Sequence, residues 1–310
     1  MRGSFTHVIH TKSHAQVSKA DYQEHTTWAL QAISTRFRVG GVDWSSLTYT
    51  YFYDQPVGKN VDIYVIDSGV YTEHTEFETR ASWGYVSKGL STKDDNGHGT
   101  HVAGIAAGKT FGVAKNANII AVKVLDQSGF TTVDACISGI NWVAGRPGLT
   151  RRPSIALMAF SVNRSFAIND ATTILVRSGV TVTTAAGNIG RDASYMSPGS
   201  ATDVITAGSS NILNVMTPGS NFGKLVNIFA PGEFIISAAI GAPNSTEVRS
   251  GTSMASAHVA GIAASILSMN PTMKPSDVAA KIQDLATTGV VAGVPAGTTS
   301  NLVYNGYNVV

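Results

Sequence analysis

The sequence predicts an α/β protein of three layers, with a mostly parallel central sheet flanked by helices. Two observations carry this expectation. Short runs rich in β-branched residues recur along the chain and end in Asp, Ser, Gly or Asn, as buried strands running into turns do. Between them lie longer segments with apolar residues at helical spacing, and alternation of this kind marks strand–helix–strand units covered on both faces. The 310 residues are enough for one large domain with a sizeable core.

The first strand is expected at residues 61–66, Val-Asp-Ile-Tyr-Val-Ile, closed by Asp67-Ser68-Gly69. A Gly/Ala-rich helix opens near His98, and a second strand follows at 118–124. Residues 131–145 place Val133, Cys136, Ile137, Ile140 and Val143 on one helical face. Strand 154–160, helix 167–178 and strand 179–185 continue the alternation, and a further strand is expected at 203–207. A long Ala/Gly-rich helix begins at about Ser253. The last helix, 276–286, has Pro275-Ser276-Asp277 as its start signal. Residues 1–20 are set apart as an N-terminal tail, whose Met1-Arg2-Gly3-Ser4 has the look of an expression leader. Residues 21–310 are expected to form a single domain.

Composition narrows the function. Apolar residues make up 43% and charged residues 14% of the chain, and 31 Gly with 10 Pro are scattered without a tract, which excludes disordered and collagenous classes. The net charge of +2 gives no electrostatic footprint for nucleic acid. No uninterrupted apolar run approaches the roughly 18 residues of a membrane span. The N-terminus lacks the apolar stretch of a signal peptide. One cysteine, Cys136, rules out an internal disulfide framework.

Three segments sit at expected element boundaries and carry chemistry. Asp67 ends the 61–66 strand. Asp95-Asn96-Gly97-His98-Gly99-Thr100-His101-Val102-Ala103-Gly104 opens a helix. Ser250-Gly251-Thr252-Ser253-Met254-Ala255-Ser256-Ala257-His258 opens another. Taken singly, each has a plainer reading: a turn Asp, a structural His, a helix cap. A metal site at His98 and His101 lacks the His-Glu-x-x-His pattern and a third ligand. Taken together, an acid, a base and a hydroxyl nucleophile are what acyl transfer through an activated serine requires. In a fourth segment, Thr184-Ala185-Ala186-Gly187-Asn188, a strand end presents an amide suited to a developing oxyanion.

These four segments, in the order Asp, His, Asn, Ser, resemble the subtilisin-like serine proteases, and most of all the proteinase K branch. The similarity runs from about Thr27-Trp28-Ala29-Leu30 to about Tyr307. It takes in Tyr51-Phe52-Tyr53-Asp54, Phe111-Gly112-Val113-Ala114 and Val122-Lys123-Val124-Leu125-Asp126. The resemblance implies a serine endopeptidase with Ser253 as nucleophile, His98 as general base and acid, and Asp67 as the group that orients it. Asn188 and the Ser253 backbone N–H would form the oxyanion hole. Substrate would lie along Ala159, Phe160, Ser161 and Val162, with Ala186 and Gly187 on the facing wall. His101 and His258 are expected to be structural. The implied setting is a secreted or, alternatively, vacuolar monomer acting on proteins and peptides. An inhibitory pro-domain or protein inhibitor is the implied partner, with no role for nucleic acid or membrane. A nucleophile-elbow esterase is excluded, because the only His after Ser253 is His258, which precedes every later Asp. The rival reading is a binding protein that kept the fold without the activity.

The sequence departs from the family at several positions. Asp62 and Ile205 stand where relatives carry disulfide cysteines, Val102 replaces a free thiol beside His98, and Ala257 replaces a proline. Ser161 and Val162 occupy two glycine positions of the substrate edge, so both side chains are expected to crowd the cleft. No cofactor is required by this chemistry. The structural calcium site of relatives would draw on Thr202 and Val204 carbonyls and a carboxylate, whose position is Asn227 here. Asp203 is the nearest alternative anion. A weak or absent calcium site is the expectation, and no metal ligands are assigned.

Overall fold

The structure is a computed structural model and describes residues 19–55 and 57–307; the tail expected over residues 1–20 falls almost wholly outside them. The chain enters through strand β1 (Lys19–Thr26), helix α1 (Trp28–Ala32) and strand β2 (Tyr49–Gln55). β1 and β2 form an antiparallel ribbon, which the sequence reading did not foresee. Strands β3 (Asp62–Asp67) and β4 (Ala81–Val86) precede helix α2 (His98–Ala107), strand β5 (Asn118–Lys123), helix α3 (Val133–Ala144) and the short helix α4 (Pro147–Thr150). Then come β6 (Ser154–Met158), β7 (Val162–Asn163), α5 (Phe166–Arg177), β8 (Thr181–Ala185), β9 (Met196–Ser197) and β10 (Ile205–Ser210). The remainder is β11 (Ile228–Pro231), β12 (Ile235–Ala238), β13 (Thr246–Arg249), α6 (Thr252–Met269) and α7 (Pro275–Leu285).

Seven strands form one sheet in the order β11-β10-β8-β6-β3-β5-β4, and every neighbouring pair is parallel. Parallel sheets need cover on both faces, and the side chains divide accordingly. Ile63 and Val65 of β3 join one buried cluster with α2 and α6, whereas Tyr64 and Ile66 join a second with α3 and α5. The expected three-layer α/β class is what the chain adopts. Expected helices 131–145, 167–178 and 276–286 appear within two residues of their bounds. Thr132 and Ser165 cap α3 and α5 by accepting the Ala135 and Ile168 N–H groups.

Two expected strands start late, β8 at Thr181 and β10 at Ile205. Asp203 adopts a left-handed backbone, φ +65°, so it belongs to a turn and β10 begins at Ile205. Among the described helices, α6 alone is long and apolar enough to cross a membrane, but 83% of it is buried within the fold. A helix apolar on all sides is here the central core helix. The carboxyl ends of β3, β6 and β8 emerge on one edge of the sheet, where open α/β folds place their sites.

Candidate active site

Asp67 closes β3 and is fully buried. Its Oδ1 accepts the Ser68 N–H at 2.8 Å and the His98 Nδ1–H at 2.8 Å. That second bond fixes the imidazole tautomer and leaves Nε2 as the basic nitrogen. His98 is the first residue of α2, and glycines let the helix begin there. Gly97 turns the chain with φ +90°, and a Cβ on Gly99 would lie 2.0 Å from the Gly69 carbonyl oxygen. Only a residue without a side chain brings α2 this close to the end of β3. Burial of the His98 ring works against its charged form, but the Asp67 carboxylate outweighs this by charge and hydrogen bond. The net result is a pKa raised above the ordinary 6.5.

Ser253 lies in the first turn of α6 and is nearly buried. Its backbone N–H points with the positive end of an 18-residue helix dipole. Asn188 follows β8 and is held through its oxygen. The Thr252 N–H donates to Asn188 Oδ1 at 2.8 Å and the Thr252 hydroxyl at 3.0 Å. The same hydroxyl accepts the Gly187 N–H at 3.1 Å. The Asn188 amide nitrogen is left without a partner among the described residues, beside the start of α6. The antiparallel pair β12–β13 joins the two helix starts. His101 Nε2 donates to the Ile235 carbonyl at 3.1 Å, and Arg249 Nη2 reaches the Asn96 carbonyl at 3.2 Å. No hydrogen bond closes between Ser253 Oγ and His98 Nε2 among the described residues, a contact that often tightens only with substrate.

Comparison with known proteins identifies the family. Residues 58–302 match the profile of the subtilase family. The "Subtilisin-like protease 1" of Pseudogymnoascus destructans is 42% identical over 293 residues, spanning 94% of this chain and 70% of that protein. This chain belongs to the subtilase family. A "cuticle-degrading serine protease" of Arthrobotrys oligospora is 40% identical to the subtilase, spanning 92% of this chain and 69% of its own. A crystal structure described as a cold adapted subtilisin-like serine proteinase superposes with a TM-score of 0.82 at 35% identity, covering 92% of this chain and all of that one. The subtilase is therefore a serine endopeptidase, a hydrolase of peptide bonds in proteins.

Of the residues expected along the cleft, Ala159 and Phe160 of the subtilase are buried on opposite faces, in the first and second core clusters. Side chains alternate along an extended segment, and Val162 accordingly packs against the second cluster while its backbone pairs with Ser197. Ser161 is half-exposed. Val162 is equally half-exposed, but its side chain rests against the second cluster, so the expectation that both Ser161 and Val162 crowd the cleft is corrected only in that Val162 leans toward the core. Ala186 and Gly187 are buried beneath Asn188, and Asn221 Nδ2 donates to the Ala186 carbonyl at 2.9 Å.

Around the position of the relatives' calcium, a cavity of about 480 Å³ is lined by Thr202, Asp203, Val204 and Asn227. The Asn227 side chain is already engaged, since its Oδ1 accepts the Thr206 N–H at 2.7 Å. The Asn227 carbonyl accepts from Gln283 Nε2 at 2.6 Å. No group of three or more His, Cys, Asp or Glu converges among the described residues. With its side-chain oxygen and its carbonyl both engaged, Asn227 brings neither a charge nor an uncommitted oxygen to a calcium ion, which favours anionic and carbonyl oxygens.

Among the remaining departures, Asp62 has a physical resolution. Asp62 is ion-paired with Arg152 at 2.8 Å and accepts from Asn118 Nδ2 at 2.8 Å. Cys136 is buried, which pushes its thiol up to about 12 and makes it inert. His101 and His258 are buried, and burial lowers them to about 3 and about 4. Sequence reasoning missed Thr252 as the holder of Asn188, and it missed Lys123. That lysine is wholly buried and donates to the Ser68 carbonyl and to Asp95 Oδ1. A lysine inside an apolar strand run was the available signal, since a buried charge demands partners.

Proposed function

We propose that Ser253, His98 and Asp67 carry the reaction as nucleophile, general base and orienting acid, with Asn188 and the Ser253 N–H binding the oxyanion. The observation that carries this reading is the 2.8 Å bond from His98 Nδ1–H to Asp67, which leaves Nε2 as the basic nitrogen. His98 Nε2 takes the Ser253 hydroxyl proton as Oγ adds to the scissile carbonyl. The developing oxyanion receives the Asn188 amide and the Ser253 N–H in a partly dry site. The imidazolium then gives its proton to the leaving amine, and water repeats the sequence to release the acid. The substrate pairs by its main chain along 159–162, with Ala186 and Gly187 opposite.

The proposed enzyme needs no cofactor. Asn227 ties residues 206 and 227 together where relatives use calcium, so its fold does not depend on that ion. The cuticle-degrading names of two relatives, from Arthrobotrys oligospora and Metarhizium anisopliae, support a secreted setting and action on external proteins. The enzyme works as a monomer, with a pro-domain or protein inhibitor as its regulating partner. Treatment with a serine-directed phosphonylating inhibitor tests the assignment. Ser253 should be the one labelled serine, and Ser253→Ala should lose roughly 10⁶ in kcat with binding retained. Retention of more than about a hundredth of the activity in a clean Ser253→Ala preparation would overturn it. Peptide binding without cleavage by the unmodified chain would instead favour the non-catalytic reading.

A further inference from the structure

Five hydrogen bonds converge on the carboxylate of Asp94, a nearly buried side chain in the loop before α2. Its Oδ1 accepts from Ser68 Oγ at 2.9 Å, the Gly97 N–H at 2.8 Å and the Asn96 N–H at 3.2 Å. Its Oδ2 accepts from the Thr100 N–H at 2.9 Å and from the Thr100 hydroxyl at 2.5 Å. The two hydroxyls extend the network. Ser68 Oγ accepts the Gly99 N–H at 2.9 Å, and Thr100 Oγ1 accepts the Tyr71 N–H at 2.9 Å. Ser68 N–H, in turn, donates to Asp67 Oδ1. One carboxylate therefore binds the residue next to Asp67 and the backbone on both sides of His98. Every group facing it is a donor, so an amide in its place would set NH₂ against N–H.

We propose that Asp94 is a positioning residue for peptide hydrolysis, setting the register of His98 against Asp67 through Ser68 Oγ and the first turn of α2. The inference rests on the roles proposed above for Asp67, His98 and Ser253. Its carboxylate is also an anion facing the imidazole. The charged and titratable groups around His98 are Asp67 from β3, Asp94 from the preceding loop, Arg249 from β13 with its ion-pair partner Glu247, and His101 from α2. Nearby Asp95 is paired with Lys123. Removing the Asp94 charge therefore also takes away support for the imidazolium, in addition to loosening the register against Asp67.

The test compares Asp94→Asn and Ser68→Ala with the unmodified enzyme, each standardised by active-site titration with a phosphonylating inhibitor. Asp94→Asn should lower kcat by about 10- to 100-fold with KM within about twofold, as small misplacements of a catalytic group do. The acid limb of its kcat/KM profile should move to lower pH. Ser68→Ala keeps the charge, so it should lower kcat by roughly 3- to 10-fold and leave the acid limb in place. An Asp94→Asn enzyme that titrates fully yet keeps both the kcat and the pH profile overturns the inference. If that variant fails to fold, an unchanged kcat in Ser68→Ala overturns it. Inhibitor attached to a residue other than Ser253 in the unmodified enzyme brings down the triad assignment and this inference with it; labelling at Ser253 beside an unchanged Asp94→Asn removes this inference alone.

Discussion

Thr252 holds Asn188 by its oxygen, with the backbone N–H at 2.8 Å and the hydroxyl at 3.0 Å. An amide whose oxygen is occupied has only its nitrogen to offer, so the donor is set before substrate arrives. Preorganisation of this kind lowers the barrier because no dipole must turn at the moment charge develops.

Asn188→Leu removes that donor at nearly constant volume. A loss of about 10²–10³ in kcat with KM little changed is expected. Steady-state kinetics decide the matter: a raised KM with kcat intact would place Asn188 in substrate binding.

The histidines should separate by pH. Catalysis needs neutral His98, so kcat/KM should fall on acidification with an apparent pKa above the ordinary 6.5. Binding its proton more tightly when folded, His98 adds stability at low pH that is lost as pH rises through its folded pKa. His101 and His258 behave in the opposite sense. Held near 3 and 4 by burial, they stay neutral while the unfolded chain takes up protons below 6.5, so stability is lost from there downward. An imidazole NMR titration of Ser253→Ala should show one of these three rings titrating between pH 8 and 5. Titration of His258 in that window would contradict its burial.

Chelator should leave the melting temperature within a few degrees, since the Asn227 oxygen already serves the Thr206 N–H. Scanning calorimetry with and without excess calcium is the check. A fall of more than about ten degrees on chelation would reveal a strong site whose ion contributes several kcal/mol.

The cleft offers a paired prediction. Ser161→Gly should raise kcat/KM for peptides with bulky residues two to four positions before the scissile bond, by roughly 3- to 10-fold. Val162→Gly should do little for specificity and cost about 1 kcal/mol or more of stability, because it strips contacts from the rim of the second cluster and loosens the backbone. If Val162→Gly proves the stronger relaxer of specificity, the 159–162 segment binds substrate through its other face.

Much of this was legible in the sequence, unevenly. The residues proposed for the triad and Asn188 sit in local motifs whose spacing survives without any knowledge of contacts, and β3, β5, β6 and β8 announce themselves by β-branched runs. What stayed hidden depends on partners distant in the chain. In the β1–β2 ribbon, β2 buries Tyr49, Tyr51 and Tyr53 in alternation, but Phe52 on its other face and the polar run of β1 hide the pairing. Asp203 appeared to begin a strand because Val204 and Ile205 follow it, yet a carboxylate tolerates the left-handed turn observed there. Val162 looked like an obstruction in the cleft because a glycine alignment says nothing about which face a side chain takes. Thr252 stands within a motif without a task and Asp94 lies one residue outside another, since their tasks are defined by Asn188 and Ser68, 64 and 26 residues away.

The burial of α6 bears on how such an enzyme meets its own kind. Thr252, Ser253 and nearly every residue after them to Leu267 are enclosed by the sheet and α2. A chain that lets this helix slip surrenders the hydroxyl and the oxyanion site in the same motion. Each molecule is then either a competent predator or prey, with nothing in between. Self-digestion must therefore pass between an intact copy and an opened one, and its pace should climb with the square of concentration when unfolding is quick to reverse. Dilution, more than cold, is the condition that should keep this protease whole.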